Sequence, residues 1–243
     1  MRIRSLVGAA LLSCLIGVNA PAQNQPASTV RTLLATGRVG NVVETPLYFR
    51  LLSVQLGTGQ SASYRGPNAM AYVLAGHLES EMGGAAQPLS GGDGGFIPAD
   101  RAARFSAFQP AKFLLFVLSP DADVRKMLID PPAVVDELYR SPEPLPGLQP
   151  GPYEFSLTRV SLPPKMPANP PHYRSGAVLY YVDGGTGLFI ADGKSELKPE
   201  GSPHFERAGW VHQWANPGET HIALIQANIS QEGVPAVISA VSK

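Results

Sequence analysis

The sequence predicts an all-β chain made of two related halves, and three observations carry that prediction. Short apolar or alternating runs at 71–74, 113–118, 178–182 and 222–227 are separated by Gly, Pro and Asn, which is how strands and their turns are written. Long stretches of 3.6-residue periodicity are missing, and this favours an antiparallel sandwich or barrel. The third observation is an internal repeat. Setting Ser63-Tyr64-Arg65 over His172-Tyr173-Arg174 and holding an offset of 109 matches Tyr72 to Tyr181, Gly76 to Gly185, Gly92 to Gly201, Phe96 to Phe205 and Leu115 to Leu224. Upstream, residues 52–56 answer 158–162, with three extra residues in the second copy.

Taken in order, residues 1–22 read as a secretory signal. Arg2 and Arg4 precede an apolar run at 6–18 and the small-residue pattern Ala20-Pro21-Ala22, with cleavage expected after Ala22. The run is short for a bilayer span, so the expected destination is the periplasm or the exterior. Cys14, the single cysteine, falls inside the signal, and the exported chain would carry no disulfide. A lipoprotein reading at Cys14 is the weaker alternative, because the apolar run continues past it. The first repeat copy spans 30–120. A linker at 121–150 follows, in which Asp130 can cap, Pro131 can open and 133–140 can continue one short helix. Prolines 142, 144, 146, 150 and 152 then read as a stiff extended connector. The second copy spans 151–236.

Composition narrows the function classes. There are 19 basic and 19 acidic residues, so no net charge is available to attract polyanions, which excludes nucleic acid as the expected partner. Membrane binding is equally unsupported once the signal is removed. With 25 glycines and 24 prolines the chain is turn-rich, yet it stays below the level typical of disorder. No G-x-S-x-G elbow is present, and Gly91-Gly92-Asp93-Gly94-Gly95 lacks the Lys and the helix of a phosphate loop.

Two stretches of the second copy carry a family resemblance. Gly201-x5-Arg207-x-Gly209-x2-His212-x3-Asn216 resembles the second cupin signature, G-x5-P-x-G-x2-H-x3-N, with Arg207 in place of proline. His172-x-Arg174-x3-Val178-x6-Gly185 resembles the first, H-x-H-x3-E-x6-G, with two substitutions. The resemblance implies a bicupin, two tandem jelly-roll barrels. It also implies that of the four metal-ligand positions, three histidines and a glutamate, only His172 and His212 survive, while Arg174 and Val178 replace the others. The matching positions of the first copy are Ser63, Arg65, Ala69 and Ala103, which implies a metal-free first barrel.

The remaining residues define a candidate site. Two apart on a strand, His172 and Arg174 share a face, and an inward guanidinium would repel a cation but clamp a carboxylate. Alternatively Arg174 pairs with an internal acid and props the barrel. Glu206 and His212 flank the turn 207–211 and are expected to face one another across a hairpin. His172, His212 and Glu206 would then form a two-histidine, one-carboxylate set suited to a divalent transition metal such as Mn, Fe, Zn, Ni or Cu. Against this, Glu206 can simply neutralise Arg174 or Arg207. His204 is a reserve ligand. Tyr181 and Trp210, with Tyr180 and Trp214, either line a ligand pocket or belong to the core. His77 and His221 read as surface histidines.

The expected function is an exported bicupin that binds a small polar or anionic molecule in its C-terminal barrel, with or without a divalent metal. A metal-dependent dioxygenase or decarboxylase, with Glu206 as ligand or proton acceptor, is the alternative. A non-catalytic assembly module pairing as a homo-oligomer is the third.

Overall fold

Alternation of buried and exposed side chains resolves the chain into strands. The computed structural model describes residues 28–40, 42 and 46–240, and the expected signal sequence lies outside the described residues. The first ten strands are β1 (Val30–Val39), β2 (Leu47–Leu56), β3 (Gln60–Tyr64), β4 (Ala69–Ala75), β5 (His77–Met82), β6 (Ala85–Ser90), β7 (Gly94–Ile97), β8 (Ala103–Ala107), β9 (Ala111–Pro120) and β10 (Val134–Arg140). They are followed by β11 (Tyr153–Leu162), β12 (His172–Arg174), β13 (Ala177–Gly184), β14 (Thr186–Ala191), β15 (Lys194–Pro199), β16 (Pro203–Glu206), β17 (His212–Ala215), β18 (Ile222–Gln231) and β19 (Val237–Ser239). The only helical element among the described residues is a single 3-10 turn at Asp121–Asp123. The chain is all-β, as the sequence predicts.

The strands form four sheets, ordered β10-β2-β9-β4-β7, β3-β8-β5-β6, β1-β11-β18-β13-β16 and β15-β14-β17-β12-β19. Each five-stranded sheet led by β10 or β1 is buried on both faces, which is why β9 reads as an almost unbroken hydrophobic run, while β18, buried as fully, carries the polar Gln226, Asn228 and Ser230. One face of the β2 sheet packs on the β3 sheet around Tyr64, Phe105 and Phe113, whose last two rings lie 4.7 Å apart. One face of the β11 sheet packs toward β14 and β17 around Val178, Tyr180, Phe189 and Trp214. The outer faces of the two large sheets meet each other through Phe49, Tyr72, Phe116, Phe155, Leu179 and Tyr181. Each of these side chains contributes roughly 1.5–3 kcal/mol by leaving water.

The repeat persists where backbone geometry demands it. Gly76 and Gly185, matched at the offset of 109, have φ of +86° and +79°. A Cβ there would stand 2.6 Å from Pro110 O and 2.9 Å from His221 O, respectively. Only glycine satisfies both constraints.

Two expectations for the linker need correction. Residues 133–140 are the strand β10, not a helix, and Asp130 caps nothing helical: its backbone N–H donates to Ser63 O at 3.1 Å. A helix that short is marginal alone, whereas β2 offers an open edge with a register running from Gln55 opposite Val134 to Arg50 opposite Arg140. Buried Arg50 fixes the pairing through Glu137 at 2.8 Å. The proline-rich segment after β10 is anchored on β2, since Ser141 N donates to Phe49 O and Leu145 N to Leu47 O. Sheet membership also departs from chain order: β1, assigned from sequence to the first copy, pairs with β11 of the second, from Val30 opposite Ser161 to Val39 opposite Tyr153.

Candidate functional site

The interior of the second half is polar where that of the first is apolar. At the offset of 109, Glu206, His212, Trp214, Tyr180 and Gln226 correspond to Ile97, Ala103, Phe105, Ala71 and Val117. The matching first-half residues are buried among apolar neighbours, Ile97 and Phe105 completely. Arg65, the sequence match of Arg174, points to solvent and lies 3.9 Å from exposed Asp130, so Arg174 has no spatial counterpart.

Pleating aims the site residues. In β12 the burial pattern puts His172 and Arg174 inside and leaves Tyr173 between them half-exposed, and in β16 His204 and Glu206 point inward. His172 stands directly opposite His212 of β17, their rings 4.4 Å apart. Glu206 is the cross-strand partner of Val178. The carboxylate that the cupin signature places on β13 therefore occurs one strand over, on β16. The hairpin expected between Glu206 and His212 does not form, because β16 and β17 belong to different sheets. The two residues meet across the interior instead.

Glu206 is wholly buried and fully engaged. Its Oε1 accepts from Trp214 Nε1 at 2.9 Å, and its Oε2 accepts from Arg174 Nε at 3.4 Å. Arg174, 1% exposed, also donates through Nη2 to the Tyr180 hydroxyl and, at 3.3 Å, to Gln226 Oε1, while its Nη1 has no partner. Burial alone would raise the Glu206 pKa, but His212, Arg174 and Trp214 overcome it and hold the carboxyl at about 2. Burial also lowers His172 to about 4, against a weaker opposing hydrogen bond to Pro170 O. His204, packed on Phe189 at 4.0 Å, is likewise lowered to about 4 by burial. Near neutral pH the interior thus holds a carboxylate, a guanidinium and at least two neutral imidazoles.

Both facing histidines are anchored through Nδ1, His172 to Pro170 O at 3.0 Å and His212 to Trp210 O at 2.8 Å. Their Nε2 atoms are buried without a hydrogen-bond partner. His212 Nε2 is 3.1 Å from Glu206 Oε2, off line for a hydrogen bond. That much suits metal ligation. The full set does not fit. Among the described residues no three His, Cys, Asp or Glu side chains converge as a metal site. A divalent ion on Glu206 Oε2 would also stand within about 5.5 Å of the Arg174 guanidinium, a repulsion of roughly 6 kcal/mol at an effective dielectric constant of about 20. The expected outcome is that Mn(II), Zn(II) or Ni(II), and equally EDTA, leave the melting temperature unchanged. A thousandfold excess over Kd would add about 4 kcal/mol, so a shift that His172→Ala abolishes would overturn this.

The remaining sequence candidates divide. Tyr180 faces the site, whereas Tyr181, its neighbour on the pleat, points the other way into the contact between the large sheets. Trp210 lies outside the Arg174 cavity: its Nε1 donates to Asp192 Oδ2 at 3.0 Å and Arg207 covers its ring at 5.1 Å. His77 and His221 are exposed beside Ser90 and Ser161. The signature asparagine is a staple, with Asn216 Nδ2 donating to Leu162 O, Pro163 O and Thr220 O.

Sequence reasoning missed Arg31. It belongs to β1, far from the signatures, but its Nη1 reaches Gln226 Oε1 at 3.4 Å. It borders a small cavity with His172, Arg174, Tyr180, Trp214 and Gln226. That cavity has a volume of about 10 Å³, room for the centre of one water. An open outer pocket of about 230 Å³, lined by Arg31, Asn169, Pro170, Pro171, His172 and Val237, adjoins it.

Neither a protein-family model nor a curated protein matches the sequence. Solved structures do resemble it in shape. Oxalate decarboxylase from Bacillus subtilis at pH 4.6 gives a TM-score of 0.55 at 13% identity, covering 84% of this chain and 78% of that one. AerE from Microcystis aeruginosa gives 0.53 at 15% identity, covering 82% and 99%. The Bacillus enzyme is described with Mn(II) centres. At such identities the likeness is one of fold alone.

Proposed function

We propose that the chain is an exported bicupin whose second barrel is a metal-independent receptor for a small anion, the first barrel being structural. The internal repeat supports the two-barrel reading, as does the correspondence of β10-β2-β9-β4-β7 to β1-β11-β18-β13-β16 and of β3-β8-β5-β6 to β12-β17-β14-β15. On this reading the barrels exchange edge strands, so the first comprises about residues 46–140 and the second β1 together with residues 151–239. Arg2, Arg4 and the apolar run behind them support export.

One observation carries the anion reading: two guanidiniums, Arg31 and Arg174, converge on a single neutral oxygen, Gln226 Oε1, with Arg174 Nη1 left unpaired. Glu206 balances one of the two charges. The uncompensated charge is that of Arg31 at the mouth, which solvent reaches, and an anion there is drawn by both guanidiniums. The metal-dependent dioxygenase or decarboxylase reading loses ground because, among the described residues, the guanidinium occupies the one carboxylate beside the facing histidines.

Calorimetric titration of formate, acetate, oxalate and phosphate at constant ionic strength tests the proposal. At least one is expected to bind with 1:1 stoichiometry, and at about 100 times its Kd to stabilise the fold by roughly 2.7 kcal/mol. That corresponds to about 5–10 °C in melting temperature for a chain of this size. Absence of saturable binding by all four would end the anion reading.

A further inference from the structure

We infer that the anion is a short aliphatic monocarboxylate and that Arg31, delivered by the N-terminal strand β1, selects it. This rests on the anion reading above and narrows it. The positive charges that border the inner cavity are those of Arg31 and Arg174. The compensating charge is the single carboxylate of Glu206, bound to Arg174. One positive charge is left over, which one carboxylate neutralises and two would exceed.

The space agrees with the charge count. The inner cavity, at about 10 Å³, has room for one water, so a head group sits at its mouth, and Arg174 Nη1 and His172 Nε2 are buried, unpaired donors or acceptors on residues of its wall. Arg174 has only Nη1 to offer, its Nε and Nη2 being engaged by Glu206, Tyr180 and Gln226, so the planar match of guanidinium to carboxylate falls to Arg31. A tail has only the outer pocket, where Pro170, Pro171 and Val237 supply apolar contact and Arg31 is the one cation among the described residues that line it. A second carboxylate there would be desolvated without a partner, whereas two or three methylenes would gain about 0.8 kcal/mol each on burial.

Arg31 suits a selecting role because it sits at the junction of the two spaces. Its backbone pairs with Val160 in β11, an edge pairing that fixes where the guanidinium hangs. The side chain is otherwise exposed, so replacing it leaves the core intact. Arg174 lowers the Arg31 pKa after burial has done so, which is the mutual repulsion that a bound carboxylate removes.

The test is calorimetry with acetate, propionate, butyrate, succinate and phosphate, on the unaltered protein and on Arg31→Gln, with circular dichroism confirming that the variant is folded. The three monocarboxylates are expected to bind the unaltered protein at least tenfold more tightly than succinate. Arg31→Gln is expected to weaken propionate at least tenfold at unchanged melting temperature. Unchanged propionate affinity in Arg31→Gln would overturn the role of Arg31. Tighter binding of succinate or phosphate than of propionate would overturn the ligand class while leaving the anion site standing. Failure of every anion to bind would instead remove the anion reading itself.

Discussion

Replacing Glu206 by Gln is expected to lower the free energy of unfolding by about 3–5 kcal/mol, because it leaves the Arg174 guanidinium buried without its counter-charge. The substitution preserves shape, and the amide oxygen can still accept from Trp214 Nε1, so packing is unchanged and the loss is electrostatic. Both partners are essentially inaccessible, at 1% and 0% side-chain exposure, which is why the pair behaves unlike the exposed bridges such as Arg38–Glu232. Adding Arg174→Met to Glu206→Gln should restore most of the stability, since an apolar chain of similar length removes the stranded charge. Urea unfolding of the single and double variants measures this directly, with an unchanged m-value as the check that only stability moved. A loss under about 1 kcal/mol for Glu206→Gln would show that solvent or another anion already reaches the guanidinium. Acetate should rescue the single variant more than it stabilises the unaltered protein, because the site then carries two uncompensated charges.

The architecture was legible because backbone constraints repeat: Gly76 and Gly185 survive as a pair for reasons of φ and contact, and the apolar runs of β4 and β13 survive with them. What failed was anything decided by partners distant in sequence. Residues 133–140 satisfy a helix rule locally, but the open edge of β2 and buried Arg50 decide their conformation. Tyr180 and Tyr181 cannot be told apart by composition, and only the pairing of β13 with β18 assigns one to the site and the other to the sheet contact. His172 and Arg174 were legible as a face, since two residues on one strand need no tertiary information. That Glu206 would join Arg174 was open among alternatives, and the two-sheet route by which it meets His212 was misread as a hairpin. Arg31 carried no local signal at all. Its role follows from β1 crossing to the β11 sheet, a consequence of strand exchange that neither the repeat nor the signatures mark.

Acid should unfold this protein well above the range in which its carboxylates titrate. His172 and His204 have folded-state pKa values of about 4 against an unfolded value of 6.5, both lowered chiefly by burial. Below pH 6.5 the unfolded chain takes up two protons that the native state refuses, so stability is complete above 6.5 and falls as pH drops, until both histidines charge near 4. Each contributes about 3.4 kcal/mol, and together roughly 7 kcal/mol, against the 5–15 kcal/mol that holds a typical domain together. Glu206, held at about 2 instead of 4.5, adds a second loss of about 3 kcal/mol between pH 4.5 and 2 with the same sign. Chemical denaturation from pH 7.5 to 4.0 should show a slope approaching 2.7 kcal/mol per pH unit near pH 5, the value for two protons. The double variant His172→Gln, His204→Gln should flatten that slope while leaving the step below pH 4.5. A stability that stays level between pH 7 and 4.5 would mean that these imidazoles are reached by water or already protonated, and the neutral, buried interior assigned to the second half would have to be abandoned.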